Sequence, residues 1–206
     1  GRKVDQAVQD IPATFGPEWV RTLESQARAA ETAEERLSLL RRAALLWHEE
    51  LDDERRAVKN LELILDEAPD DGDTAGALIP LYRNLKAWKK LPAVYGVALR
   101  HAATPALRRP MLMALAEVQD VHLRDPSAAL DTHILALREE PDVVGLAPEL
   151  QDLAQRSERW QSYAEVLTDV LEELPSLSLD PDARGPERLE LGAQPFALLA
   201  GLCGAV

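Results

Sequence analysis

The chain has 206 residues, only 4% of them aromatic, and carries 23 Lys and Arg against 36 Asp and Glu, a formal net charge of -13. A surface that negative repels nucleic-acid backbones and anionic membrane faces, because affinity for phosphates comes from cations that displace counterions. The single cysteine, Cys203, excludes an intramolecular disulfide and a thiolate metal cluster, and no apolar run reaches the roughly 18 residues a membrane span needs.

Ala, Leu, Glu and Arg dominate the composition, which favours helices over strands. Residues 1–17, with Pro12 and Pro17, read as an irregular lead-in. A start at Gly1 rather than Met reads as an excerpt or a processed chain. Glu18 to Thr32 reads as the end of an earlier helical unit. Glu34 to Leu51 places Leu37, Leu40, Ala44, Trp47 and Leu51 at three- and four-residue steps, one apolar stripe on a long helix. Asp52 and Asp53 make a turn whose carboxylates favour a following helix N-terminus. The next helix carries Ala57, Leu61, Ile64 and Leu65 and stops at Pro69, since proline disfavours helix in the residue before it. Asp70 to Asp73 supplies another cap. Ala75, Leu78, Leu81, Tyr82 and Leu85 stripe a third helix, and after a break near Lys86 a fourth carries Trp88, Leu91, Val94, Tyr95 and Ala98.

The same order then returns without a gap at an offset of 72 residues, the distance from Trp88 to Trp160. Leu40 falls on Leu112, Ala44 on Ala116, Asp53 on Asp125, Ala57 on Ala129, Pro69 on Pro141, Leu78 on Leu150 and Val94 on Val166. A long gapless repeat solves one packing problem twice, which is how solenoids are built. Each block, about 34–103 and 106–175, holds four helices in two hairpins, and short loops make neighbours antiparallel. The recurrence marks Trp88 and Trp160, with Trp47, as core residues. Pro80, Pro110 and Pro148 fall inside helices and predict kinks or later helix starts. The last helix should end before Pro175. Residues 176–206 read as a linker and an apolar segment that could cap an open repeat end.

Ala57 with Pro69, and Ala129 with Pro141, stand 12 residues apart, and Ala57, Leu91, Ala129 and Tyr163 are spaced by 34, 38 and 34. These residues resemble tetratricopeptide repeats, helical hairpins with a period of about 34. The resemblance extends over roughly residues 34–175. Ala136 matches a second small position of that pattern, where the first copy has Ile64, and the units on Leu91 and Tyr163 carry a bulky residue in place of a small one. Such alternation looks like the degenerate double units of large bacterial repeat proteins. Trp160-Gln161-Ser162-Tyr163 is faintly similar to the half-a-tetratricopeptide type of RNA-processing complexes.

The resemblance implies an all-α, right-handed α-solenoid and a non-catalytic scaffold that docks a protein or peptide segment. In such arrays the first helix of each hairpin lines the inner face. Carried onto this chain, that implies partner contacts from Arg41, His48, Arg83, Asn84, Gln155 and Arg156. The net charge fits simple solubility or a basic partner and disfavours nucleic acid and membrane, and the open repeat end leaves self-association as a further expectation. The alternatives are a regulatory or substrate-recruiting segment of a larger enzyme, and an RNA-processing scaffold.

Catalytic chemistry finds no foothold in the sequence. His48-Glu49-Glu50 lacks the second histidine a zinc helix needs, and His101, His122 and His133 stand singly. No phosphate-cradling glycine loop and no nucleophile elbow is present. The reading is therefore no catalytic residue, no metal and no cofactor, and the cytoplasm as a compartment consistent with one free thiol.

Overall fold

The computed structural model describes residues 16–139 and 143–177, and every regular element among them is helical. The lead-in up to residue 15, Pro141, the linker and cap beyond 177, and Cys203 lie outside the described residues. The chain divides into two compact units, Gly1–His101 and Ala102–Val206.

The first unit contains α1 (Pro17–Ala29), α2 (Ala33–Glu49), α3 (Glu54–Glu67), α4 (Gly72–Asn84), a 3-10 turn (Trp88–Lys90) and α5 (Leu91–His101). Local chemistry sets these boundaries. Pro17 occupies the first turn of α1, where its missing N–H costs nothing. Thr32 accepts the Glu35 N–H at 3.2 Å at the start of α2, Asp53 the Arg56 N–H at 3.1 Å before α3, and Asp71 the Thr74 N–H at 3.0 Å before α4. Consecutive helices pack on one another. Arg36, early in α2, reaches Glu67 at the end of α3 at 2.6 Å, and Asn84, ending α4, reaches Glu54 at the start of α3 at 2.6 Å, as antiparallel neighbours require. The Arg42 guanidinium lies 5.0 Å over the Trp19 ring and ties α2 to α1.

The second unit contains α6 (Pro105–Glu117), a π turn (Val118–His122), α7 (Pro126–Glu139), α8 (Val143–Ser157) and α9 (Trp160–Leu177). Several of its fastenings are those of the first unit displaced by the sequence offset of 72. Arg108 grips Glu139 at 2.7 and 2.6 Å and the Ala102 carbonyl at 3.0 Å, where Arg36 grips Glu67 and the Ala30 carbonyl. Asp125 accepts the Ala128 N–H at 2.9 Å, the counterpart of the Asp53 cap. Leu51 N–H bonds the Leu46 carbonyl at 3.2 Å and Leu123 N–H the Val118 carbonyl at 3.0 Å, so α2 and the π turn that follows α6 both finish through an i to i+5 bond. Small residues at matched places, Ala44 with Ala116 and Ala57 with Ala129, are at most 3% exposed; no side chain holds the helices apart there.

Among the described residues four that are not glycine adopt the left-handed conformation, and they form two matched pairs: Asp52 (φ 50°) with Arg124 (φ 56°), and Lys86 (φ 55°) with Glu158 (φ 57°). The backbone route, rather than the side chain, demands the conformation, since a cation and an anion alternate within each pair. Left-handed geometry costs an L-residue about 1–2 kcal/mol, partly recovered by its lower freedom when unfolded. Asp52→Gly, Lys86→Gly, Arg124→Gly and Glu158→Gly should therefore each stabilise by about 0.5–1 kcal/mol, read as a higher denaturant midpoint at unchanged slope.

Three expectations change. Trp160 is 38% exposed and Trp88 half-buried, whereas Trp47, whose counterpart is Gln119, is 2% exposed. Trp160 opens the first turn of α9 and packs edge-on against Tyr163, with ring centroids 6.1 Å apart; recurrence there preserves a helix-start position, not a core one. Pro80, Pro110 and Pro148 all lie within α4, α6 and α8 with their rings exposed, so the helix starts are not shifted past them. The last helix continues through Pro175 to Leu177.

Candidate interaction surfaces

Arg41, His48, Arg83 and Asn84 stand on α2 and α4 of the first unit, Gln155 and Arg156 on α8 of the second. Arg41 is exposed and pairs with Asp71, the cap of α4. Burial pushes the Asp71 carboxyl up, but the Thr74 N–H and Arg41 outweigh it and hold the group below the ordinary carboxylate value. Asn84 spends its amide on Glu54. Arg156 clamps both oxygens of Asp120, at 2.5 and 2.8 Å, and reaches Asp152 at 2.7 Å. The hydrogen bond to Asp120 and then that to Asp152 raise its pKa further, and Arg156 in turn holds Asp120 low. Arg41, Asn84 and Arg156 thus serve packing of their own unit as well as any partner.

The offset sharpens this picture. His48 corresponds to Asp120, and Arg83-Asn84 to Gln155-Arg156. The second unit fills with an ion pair the place where the first has His48 and Asn84. His48 and Gln155 are exposed side chains.

A second feature has no counterpart in the sequence reading. In the first unit Arg21, Glu24, Ser25, Arg28, Arg56 and Lys59 line a recess of about 440 Å³ between α1 and α3. Its floor is a polar core. Glu24 accepts the Trp47 indole N–H at 2.7 Å and the Asn60 amide at 2.9 Å, and the Arg56 guanidinium covers the Trp47 ring at 4.3 Å. Arg56 also meets Asp53 at 3.3 Å. Next to this recess lies a smaller pocket of about 150 Å³, lined by Ala27, Arg28, Arg36, Leu40, Leu63 and Glu67. The signal was present in the sequence as Arg21, Ser25 and Arg28 at helical spacing, followed by Arg56 and Lys59 three apart.

Among the described residues, no group of three or more His, Cys, Asp or Glu side chains is placed to hold a metal ion, and no helix is long and apolar enough to cross a membrane. No protein-family model and no curated protein matches the chain. Among solved structures, one described as "MamA RS-1 ArsTM double mutant" is similar at 20% identity over 79% of this chain and 87% of its own, with a TM-score of 0.45.

Proposed function

We propose that the chain is a right-handed solenoid of tetratricopeptide-like hairpins, and that it works as a scaffold docking a protein segment on its first-helix face. The observation that carries this reading is the depth of the repeat. The Asp53 cap returns as Asp125, the Arg36–Glu67 pair as Arg108–Glu139, and the helix-ending bonds and left-handed residues recur at the same offset of 72. Repeated units of this kind present a modular surface, and what varies between them is free to serve recognition. The varying positions include His48 against Asp120 and Arg83 against Gln155, on the helices the resemblance assigns to the partner.

Site-specific photocrosslinkers at His48 and Gln155, compared with ones at the exposed Thr22 and Thr168, test the assignment. Partners should crosslink from the first pair and not from the second, and Arg83→Glu should weaken the captured partner about tenfold in titration. Equal crosslinking from all four positions, with unchanged affinity for the Arg83→Glu chain, would remove the first-helix face from consideration.

A further inference from the structure

We infer that the recess between α1 and α3 docks an acidic segment of a partner protein, with carboxylates on Arg21, Arg28 and Lys59 and an apolar side chain beside Leu63. Four cations line the recess against the single carboxylate of Glu24. Arg56 is occupied by the Trp47 ring and Asp53. Arg21, Arg28 and Lys59 are exposed, and no carboxylate among the described residues pairs with any of them. A chain of net charge -13 does not gather cations by composition alone. Repulsion over most of the surface and attraction at one recess steer an acidic segment to that place.

The second block acts as an internal control. Arg36 and Glu67, which fasten the hairpin, recur as Arg108 and Glu139, but Arg21 becomes Ala93, Arg56 becomes Ala128 and Lys59 becomes Asp131. Arg28 does recur, as Arg100, and there it is held by Asp70 at 2.7 and 3.0 Å. The cluster of cations thus belongs to the first unit alone, as does the polar floor beneath it, where Glu24 becomes Gly96 and Trp47 becomes Gln119. The adjoining pocket selects the kind of anion. Leu63 is 45% exposed beside Ala27 and Leu40, and an apolar site next to a cationic one fits a peptide carrying both characters better than a bare phosphate. Nucleic acid is disfavoured because three cations in a strongly negative field gain little from counterion release. The recess uses α1 and α3, so the inference stands apart from the first-helix reading.

The test is fluorescence anisotropy of the full chain with a labelled oligoglutamate peptide bearing a central leucine. Binding should weaken with added salt. Arg28→Glu/Lys59→Glu should weaken it at least about tenfold, and the milder Arg28→Gln/Lys59→Gln should weaken it too, with thermal melts confirming that both fold. Lys86→Glu/Lys89→Glu makes the same change in net charge away from the recess and should alter affinity by less than about twofold; Glu158 already occupies the place of Lys86 in the second block. Leu63→Ala should cost about threefold. Arg83→Glu should leave this peptide unaffected. Equal binding of an oligolysine peptide, or indifference to the recess variants, would overturn the inference. So would a leucine-free probe that binds as well and is displaced by inorganic phosphate, which would leave a simple anion site. Loss of binding in Arg83→Glu alone would move the peptide to the first-helix face. A concentration-dependent dimer in sedimentation, abolished by Arg28→Glu/Lys59→Glu, would replace the partner segment with a second copy of the chain.

Discussion

Trp47→Ala is expected to lower the stability of the first unit by about 3–5 kcal/mol, the range for removing a fully buried aromatic ring. Two separate losses produce that figure. The ring, 2% exposed, leaves a cavity between α2 and α3 and strips the Arg56 guanidinium of its stacking surface. The indole N–H also leaves Glu24 with Asn60 as its remaining donor in the floor of the recess. Trp47→Phe separates the two, because it keeps most of the ring and removes the donor. It should cost about 1–3 kcal/mol, a hydrogen bond to a charged group plus a small void. A cycle with Glu24→Gln should return a coupling of about 1 kcal/mol, since the two residues share one bond. Denaturant melts followed by circular dichroism supply all four corners. A Trp47→Ala cost below about 1 kcal/mol would show that α1 and α2 are held by something other than this side chain.

Trp47 also shows where a sequence stops speaking. Recurrence at the offset of 72 singles out Trp88 and Trp160, yet the structure buries Trp47, which does not recur. A repeat reports which positions are equivalent, but depth depends on which way each position faces. Caps were legible because they act within three residues: Asp53, Asp71 and Asp125 each bond the backbone three positions ahead. Interhelical pairs were not legible singly. Arg36 reaches across 31 residues to Glu67, and only the twin bond of Arg108 to Glu139 reveals the pattern. For the same reason the pairing of Arg41, Asn84 and Arg156 within their own units is not legible, because nothing in a linear chain announces that Asp71, Glu54 and Asp120 are within reach. The recess on α1 and α3 is hidden in the sequence because net charge carries no position. Averaging to -13 conceals a local excess of the opposite sign.

His133→Leu is expected to stabilise the second unit and to flatten its response to mild acid. His133 is 8% exposed on α7, and its Nδ1 finds no hydrogen-bond partner among the described residues. The first block has Leu61 at the same place, so the backbone accepts an aliphatic side chain there. Removing an unsatisfied buried nitrogen should gain about 1–2 kcal/mol near neutral pH. The pH dependence follows from the direction of the shift. Burial pushes the imidazole below its ordinary value of 6.5, against the pull of Glu149 and Asp120, the latter already clamped by Arg156. The folded chain therefore keeps His133 neutral while the unfolded chain takes up a proton near 6.5. Stability is fully present above that pH and falls as the pH drops from it towards the folded value. Asp120 and Glu139 are held low mainly by hydrogen bonds from Arg156 and Arg108, so their contributions fade only below the ordinary carboxylate values of 3.8 and 4.5. The two windows separate cleanly. Melts taken from neutral pH down to about 5 should show a decline in the wild-type chain that His133→Leu lacks, while both decline together in stronger acid. An identical slope in the two chains across the upper window would mean that the imidazole is protonated in the folded state, and that Asp120 and Glu149 outweigh its burial.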